Sequence, residues 1–217
     1  LLGEFSDGPA SSARFSRPTD VVVDVAGNVF VADYFNHAVR KVTAAGSATT
    51  LAGNGIGHFA DGVGVQAGFL YPNRLVLDRA GNLYLTEGHS GDVGERPTGN
   101  RIRRITSDGT VASIAGTGAP GYRDGPVGQA EFYAPTGLAL DAAGTIYVAD
   151  RLNHCIRIIT GGVVRTLAGT PGVQGYADGS ANRARFSYPS DVVLDEPRGI
   201  LYVADSNNHR IRQIMLR

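Results

Sequence analysis

"VADYFNHAVR", residues 31–40, places an acid, an amide, an imidazole and a guanidinium within eight positions. Such a set suits a catalytic centre. A catalytic centre, however, is built once, whereas a structural device is built as often as the structure needs it. This stretch recurs: Asp33, Asn36, His37 and Arg40 return as Asp150, Asn153, His154 and Arg157, and again as Asp205, Asn208, His209 and Arg212. Repetition assigns the set to a per-repeat structural unit, a polar network that locks a loop to a strand.

The surrounding sequence repeats with it. Phe-x-x-Pro begins at Phe15, Phe69, Phe132 and Phe186, in steps of 54, 63 and 54 residues. From each proline, 15 residues lead to Asp33, Glu87 or Asp150, and 16 to Asp205. Arg40, Arg157 and Arg212 follow the acid by seven residues, whereas Arg103 follows Glu87 by sixteen. The second repeat therefore carries its extra length in one place. Asp-Gly pairs at Asp7, Asp61, Asp124 and Asp178 each stand eight residues before the next Phe. The period suits a four-stranded sheet. Its first strand is "DVVVD" or "RLVLD", followed by a tight Asp-x-x-Gly turn, where Asp bonds backbone amides and Gly supplies positive φ. The second strand is "VFVAD" or "IYVAD". The third is "AVRKV" or "CIRII", with strong apolar positions three apart, which implies a bulge or burial on both faces. The fourth is "TTLAG", "ASIAG" or "RTLAG". Sheets apolar on both faces need cover on both sides, and radial stacking in a β-propeller supplies it.

The motifs P-x-x-[VL]-x-x-D, G-N-[VL]-[FY]-[VL], V-A-D and N-H-x-[VI]-R resemble those of NHL-repeat proteins over nearly the whole chain. The expected fold is all-β, one domain over 1–217: a β-propeller of four NHL-type repeats. Family members are described as six-bladed, so the chain is either a four-bladed ring or a four-blade arc of a larger propeller. The chain starts at Leu1 rather than Met, so further sequence upstream is expected. "LLG" at the start matches the "LAG" of a fourth strand, and Arg217 falls before one. The N-terminal segment 1–14 is accordingly expected to complete the last blade, giving a monomer if the ring closes and a dimer if the arc stays open.

Lys plus Arg and Asp plus Glu are 20 each, and Lys41 is the sole lysine. A neutral chain gives no electrostatic footprint for nucleic acid; the Arg101, Arg103 and Arg104 cluster is too short to change that. No apolar window approaches a membrane span. Cys155, the single cysteine, reads as a small buried residue. By family analogy, an arginine-basic, disulfide-free chain is expected to be bacterial and extracytoplasmic.

Function is expected where the repeats differ. One such place is the polar insertion at 88–99 with His89, Asp92, Glu95 and Arg96, which equally reads as a tolerated surface loop. The other is the position two after each proline: Asp20, Arg74, Gly137 and Asp191. The resemblance implies that this strand lines the central channel, so these residues would ring its mouth and suit a polar or cationic ligand. The bland alternative is a set of water-facing strand residues. The reading is a non-enzymatic binding scaffold for a protein, a peptide or a small polar ligand, with no cofactor and no metal. Related propellers include metal-dependent lyases and lactone hydrolases. No three His or carboxylates visibly converge here, which sets that alternative behind the first. A third reading is a structural arc that assembles into larger rings.

Overall fold

Short apolar runs cut by Asp-x-x-Gly turns close on themselves as antiparallel sheets. The computed structural model describes residues 5–89 and 98–216, with four such sheets. The first contains Gly8–Pro9 (β1), Pro18–Val23 (β2), Val29–Asp33 (β3), Ala38–Val42 (β4) and Ser47–Gly53 (β5), in the order β1-β5-β4-β3-β2. The second repeats that order with Gly62–Val63 (β6), Pro72–Leu77 (β7), Leu83–His89 (β8), Thr98–Ile105 (β9) and Thr110–Ala115 (β10). The third does so with Gly125–Pro126 (β11), Pro135–Leu140 (β12), Ile146–Asp150 (β13), Cys155–Thr160 (β14) and Val163–Ala168 (β15). In the fourth, Pro189–Asp195 (β16), Ile200–Asp205 (β17) and Arg210–Met215 (β18) lie in chain order. The all-β, blade-by-blade β-propeller fold read from the spacing is the fold observed.

The first turn of three blades is held alike. Asp24 Oδ1 accepts from the amides of Ala26 and Asn28 at 2.9 and 2.8 Å, and Asp78 and Asp141 repeat the pattern. The third strand pairs regularly with the second, and the bulge lies on the fourth. Val39 pairs with Ala52 but Arg40 with Thr50, so Leu51 is the extra residue, as Leu167 is opposite Ile156 and Arg157. Both faces are also covered, since Ile156 and Arg157 are each fully buried.

Three sheets carry a fifth strand that the four-strand reading omits. Asp7 Oδ2 accepts the Thr50 amide at 3.0 Å, which sets Gly8–Pro9 beside β5. Asp61 on Ser113 and Asp124 on Thr166 do the same for β6 and β11. Residues 8–9 thus belong to the first sheet. A closing strand from the N-terminus would have to come from Leu1–Glu4, which lie outside the described residues.

The chain forms two units, residues 1–89 with 102–114 and residues 90–101 with 115–217. In the first, Phe30, Ala32 and Val39 of one sheet pack on Leu75, Leu83 and Leu85 of the next, with Phe69 beneath them. In the second, Tyr147, Ala149 and Ile156 pack on Val192, Leu201 and Val203, with Phe186 in the place of Phe69.

Candidate functional site

The strand-ending acid sits at the centre of each blade's network. Asp33 Oδ1 accepts the Ser16 amide at 2.7 Å, and Oδ2 accepts Asn36 Nδ2 at 2.8 Å and Arg40 Nη1 at 2.9 Å. The guanidinium also donates to the carbonyls of Arg14 and Ser6 and to Asp7, and it lies between the rings of Phe5 and Phe15. Asp150–Asn153–Arg157 and Asp205–Asn208–Arg212 repeat these bonds. In the second blade Glu87 meets Arg103 at 2.6 Å, both side chains fully buried. Each acid and guanidinium is engaged by the scaffold, with neither oxygen of the aspartates left to take a substrate proton.

The histidines have a different task. His37, His154 and His209 each end a one-turn 3-10 helix with φ of 47°, 55° and 54°. This left-handed region admits His and Asn more readily than most residues. His37 Nδ1 accepts the Tyr71 amide at 3.3 Å, and His154 Nδ1 accepts that of Tyr188 at 3.2 Å. Asn100 stands in for them in the second blade, with φ of 49° and Oδ1 on the Ala134 amide at 2.8 Å. Burial, with His58 in support, holds the His37 imidazole below its usual range. Burial and then Arg151 do so for His154. Asp150 is pushed up to about 6 by burial, against the lowering pull of Arg157.

The position two after proline lies at an irregularity where the first strand shifts register, between Pro18 and Asp20 and between Pro189 and Asp191. Such bulges re-aim side chains. In the first unit Asp20 Oδ2 accepts the Leu75 amide at 2.7 Å and stands 3.5 Å from Arg74 Nε. In the second, Gly137 lies against Asp191: a Cβ on Gly137 would fall 2.4 Å from the Asp191 Cα. The Asp191 carboxylate accepts the Val192 amide at 2.9 Å. Of the insertion's four candidate residues, only His89 is described, and only its backbone. Asp92, Glu95 and Arg96 lie outside the described residues.

Beside the Asp20–Arg74 pair the fold assembles a cluster that the repeat comparison passes over. The Arg17 guanidinium stacks on Tyr34 and Phe35 at 5.2 and 5.1 Å, and Tyr71 meets Tyr34 at 5.1 Å and Phe35 at 6.3 Å. Arg17 is exposed and Phe35 is 39% exposed. The signal was present: Tyr34–Phe35 stands where the other unbroken repeats have Arg151–Leu152 and Ser206–Asn207. Among the described residues no three His, Cys, Asp or Glu side chains are grouped to hold a metal.

The family model for the NHL repeat matches residues 15–42, 132–159 and 186–214. NHL repeat-containing protein 2 of Bos taurus is 29% identical over 96% of this chain and 32% of its own length. The chain thus spans about a third of the curated relatives it matches. An auxiliary nutrient binding protein from Bacteroides thetaiotaomicron superposes with a TM-score of 0.50 at 21% identity, covering 97% of this chain and 72% of that one. Virginiamycin B lyase from Staphylococcus aureus gives 0.51 at 16% identity, covering 92% and 55%. At these identities the structures speak for the fold, which serves a binding protein and an enzyme alike. The chain therefore carries NHL repeats at three positions, and its second blade keeps the same anchors around an insertion.

Proposed function

We propose that the protein is a non-enzymatic binding scaffold, and that it takes a protein or peptide on the edge where Arg17, Tyr34, Phe35 and Tyr71 adjoin Asp20 and Arg74. One observation carries this reading. The repeated acid, amide and guanidinium side chains are committed to internal bonds, while Arg17 and Phe35 of this cluster are exposed beside the buried ring of Tyr34. Rigid aromatic rings with a stacked arginine form the composition that dominates interface energetics. Arg17 is held in place by two rings, so little side-chain freedom is lost on docking. The adjacent Asp20–Arg74 pair adds one acceptor and one donor with which to orient a backbone or a polar side chain.

The test is selection of a displayed random-peptide library against the 217-residue chain, with binders measured by fluorescence anisotropy. Supporting peptides lose at least roughly tenfold in affinity on Phe35→Ala or Arg17→Ala, as expected of a central contact, and are unaffected by Arg198→Ala. Enriched peptides indifferent to both substitutions, or no enrichment, would sink the proposal.

A further inference from the structure

Within each unit the blades pack face to face through two apolar rows, and among the described residues one copy of each row is exposed, in the fourth sheet and in the first. The first row comprises Val22, Phe30, Ala32 and Val39 in the first sheet and Ala139, Tyr147, Ala149 and Ile156 in the third. In both sheets it lies against the next blade. In the fourth sheet the same positions are Val193, Tyr202, Ala204 and Ile211, aligned across the strands by their pairing. There Val193 is 55% and Ile211 70% exposed, whereas Val39 and Ile156 are fully buried.

The receiving row is Leu75 and Leu77 in the second sheet, and Val192 and Leu194 in the fourth. Its first-sheet counterparts are Val21 and Val23. Leu75 and Val192 are buried, yet Val21 is 55% exposed and Val23 is equally uncovered. Aliphatic residues stand in water at the two places where sister blades are dry. Contiguous exposed apolar rows of this kind mark interaction surfaces.

The geometry points to a second copy of this chain as the occupant: the Val193–Ile211 face of one copy docks on the Val21–Val23 face of another. The two faces are complementary because the same pair of rows already packs twice within the chain. The contact is heterologous, head to tail, so each copy offers one donor and one acceptor face.

The experiment is sedimentation velocity on the intact chain from nanomolar to high micromolar concentration, with Ile211→Glu and Val21→Glu. Both side chains are exposed in the monomer, so the variants should keep the wild-type circular dichroism and cooperative unfolding. Ile211→Gln and Val21→Gln form a milder pair should either fail to fold. The wild-type mass should at least double with concentration, and each variant alone should remain monomeric. An equimolar mixture of the two variants should recover a two-chain species, because Ile211→Glu keeps the acceptor and Val21→Glu keeps the donor. Wild type at monomer mass throughout would overturn the inference. So would self-association of Val21→Glu alone, which would mean donor face meeting donor face, or a mixture that stays monomeric.

Discussion

Arg157→Met tests whether the repeated polar set is scaffold. The guanidinium is fully buried. It donates to Asp150 at 2.7 Å, to Asp124 at 2.6 Å and to the carbonyls of Glu131 and Arg123 at 3.0 and 2.9 Å. Methionine replaces the apolar stem of the arginine but not its guanidinium, which stacks on Phe132, and leaves the buried Asp150 without its cation. Removing one partner of a buried pair costs about 3–5 kcal/mol, and each stranded carbonyl adds about 1 kcal/mol or more. Asp150 keeps the Tyr133 amide and Asn153, which places the sum near the lower end, about 5 kcal/mol. Domains of this size have about 5–15 kcal/mol in all, so the urea midpoint should fall by a large fraction. The pH sets the sign of a second readout. With its pKa raised to about 6, Asp150 binds its proton more tightly folded than unfolded. Its contribution to stability is therefore full below about pH 4 and lost as pH rises through 6. Without Arg157 the carboxyl protonates still more readily, so the variant's deficit should be largest near pH 8 and shrink toward about pH 5. Arg212→Met is the internal comparison. It leaves the buried Asp205 without its cation in the same way, but its second partner Asp178 is 71% exposed against 38% for Asp124, so the loss there should be smaller by up to about 1 kcal/mol. Urea unfolding followed by circular dichroism at both pH values decides it. A loss for Arg157→Met below about 1 kcal/mol, or one equal at the two pH values, refutes the reasoning.

His37 and His154 accept backbone amides as neutral rings with lowered pKa. Stability should be full above about pH 6.5 and fall on acidification through the folded values. His37→Asn with His154→Asn, the solution already used at Asn100, should flatten the drop in Tm between about pH 7.5 and 5.5; an unchanged slope would dismiss the role. Gly137→Ala drives a methyl group against the Asp191 backbone and should cost about 2 kcal/mol or more, read as a shift in urea midpoint without a change in m-value. The Cys155 thiol is pushed well up by burial, with the Asp150 charge adding to it. It should resist a thiol reagent in the native state and react once the chain unfolds; rapid native labelling would show that the third sheet opens.

The fold was legible because each blade needs the same anchors, and equal needs leave equal spacings. Phe69, Phe132 and Phe186, the strand-ending acids and the buried arginines could be aligned by counting alone. The two-residue strands β1, β6 and β11 could be aligned too, at the Asp-Gly pairs, but two residues carry no alternation from which to read a strand. They exist through a carboxylate–amide bond from Asp7, Asp61 or Asp124 to a strand about 42 or more residues away. The aromatic cluster escaped for another reason. Arg17, Tyr34, Phe35 and Tyr71 come from two repeats, and of the four only Tyr71 returns in another blade, as Tyr188. Only the meeting of the first two sheets makes them one surface.

The second blade shows which features of the repeat are physical requirements. It replaces Asp by Glu87, loses the Asn-His pair to Gly99–Asn100 and carries nine extra residues before Arg103. Even so, Arg103 reaches Glu87, Asp61 and the carbonyls of Gly68 and Ala60, lying between Phe59 and Phe69 as Arg40 lies between Phe5 and Phe15. What persists is a buried fork donor on a strand-ending carboxylate, and a left-handed residue with an acceptor aimed at the next blade. The residue types are interchangeable within those constraints. A catalytic set does not survive such exchange, since Asn cannot replace His as a base. The substitutions tolerated in the second blade therefore argue, independently of the hydrogen bonds, that "VADYFNHAVR" is scaffold. What that stretch would offer to the proposed interface is its two non-repeated rings, the exposed Phe35 and the buried Tyr34 beside it.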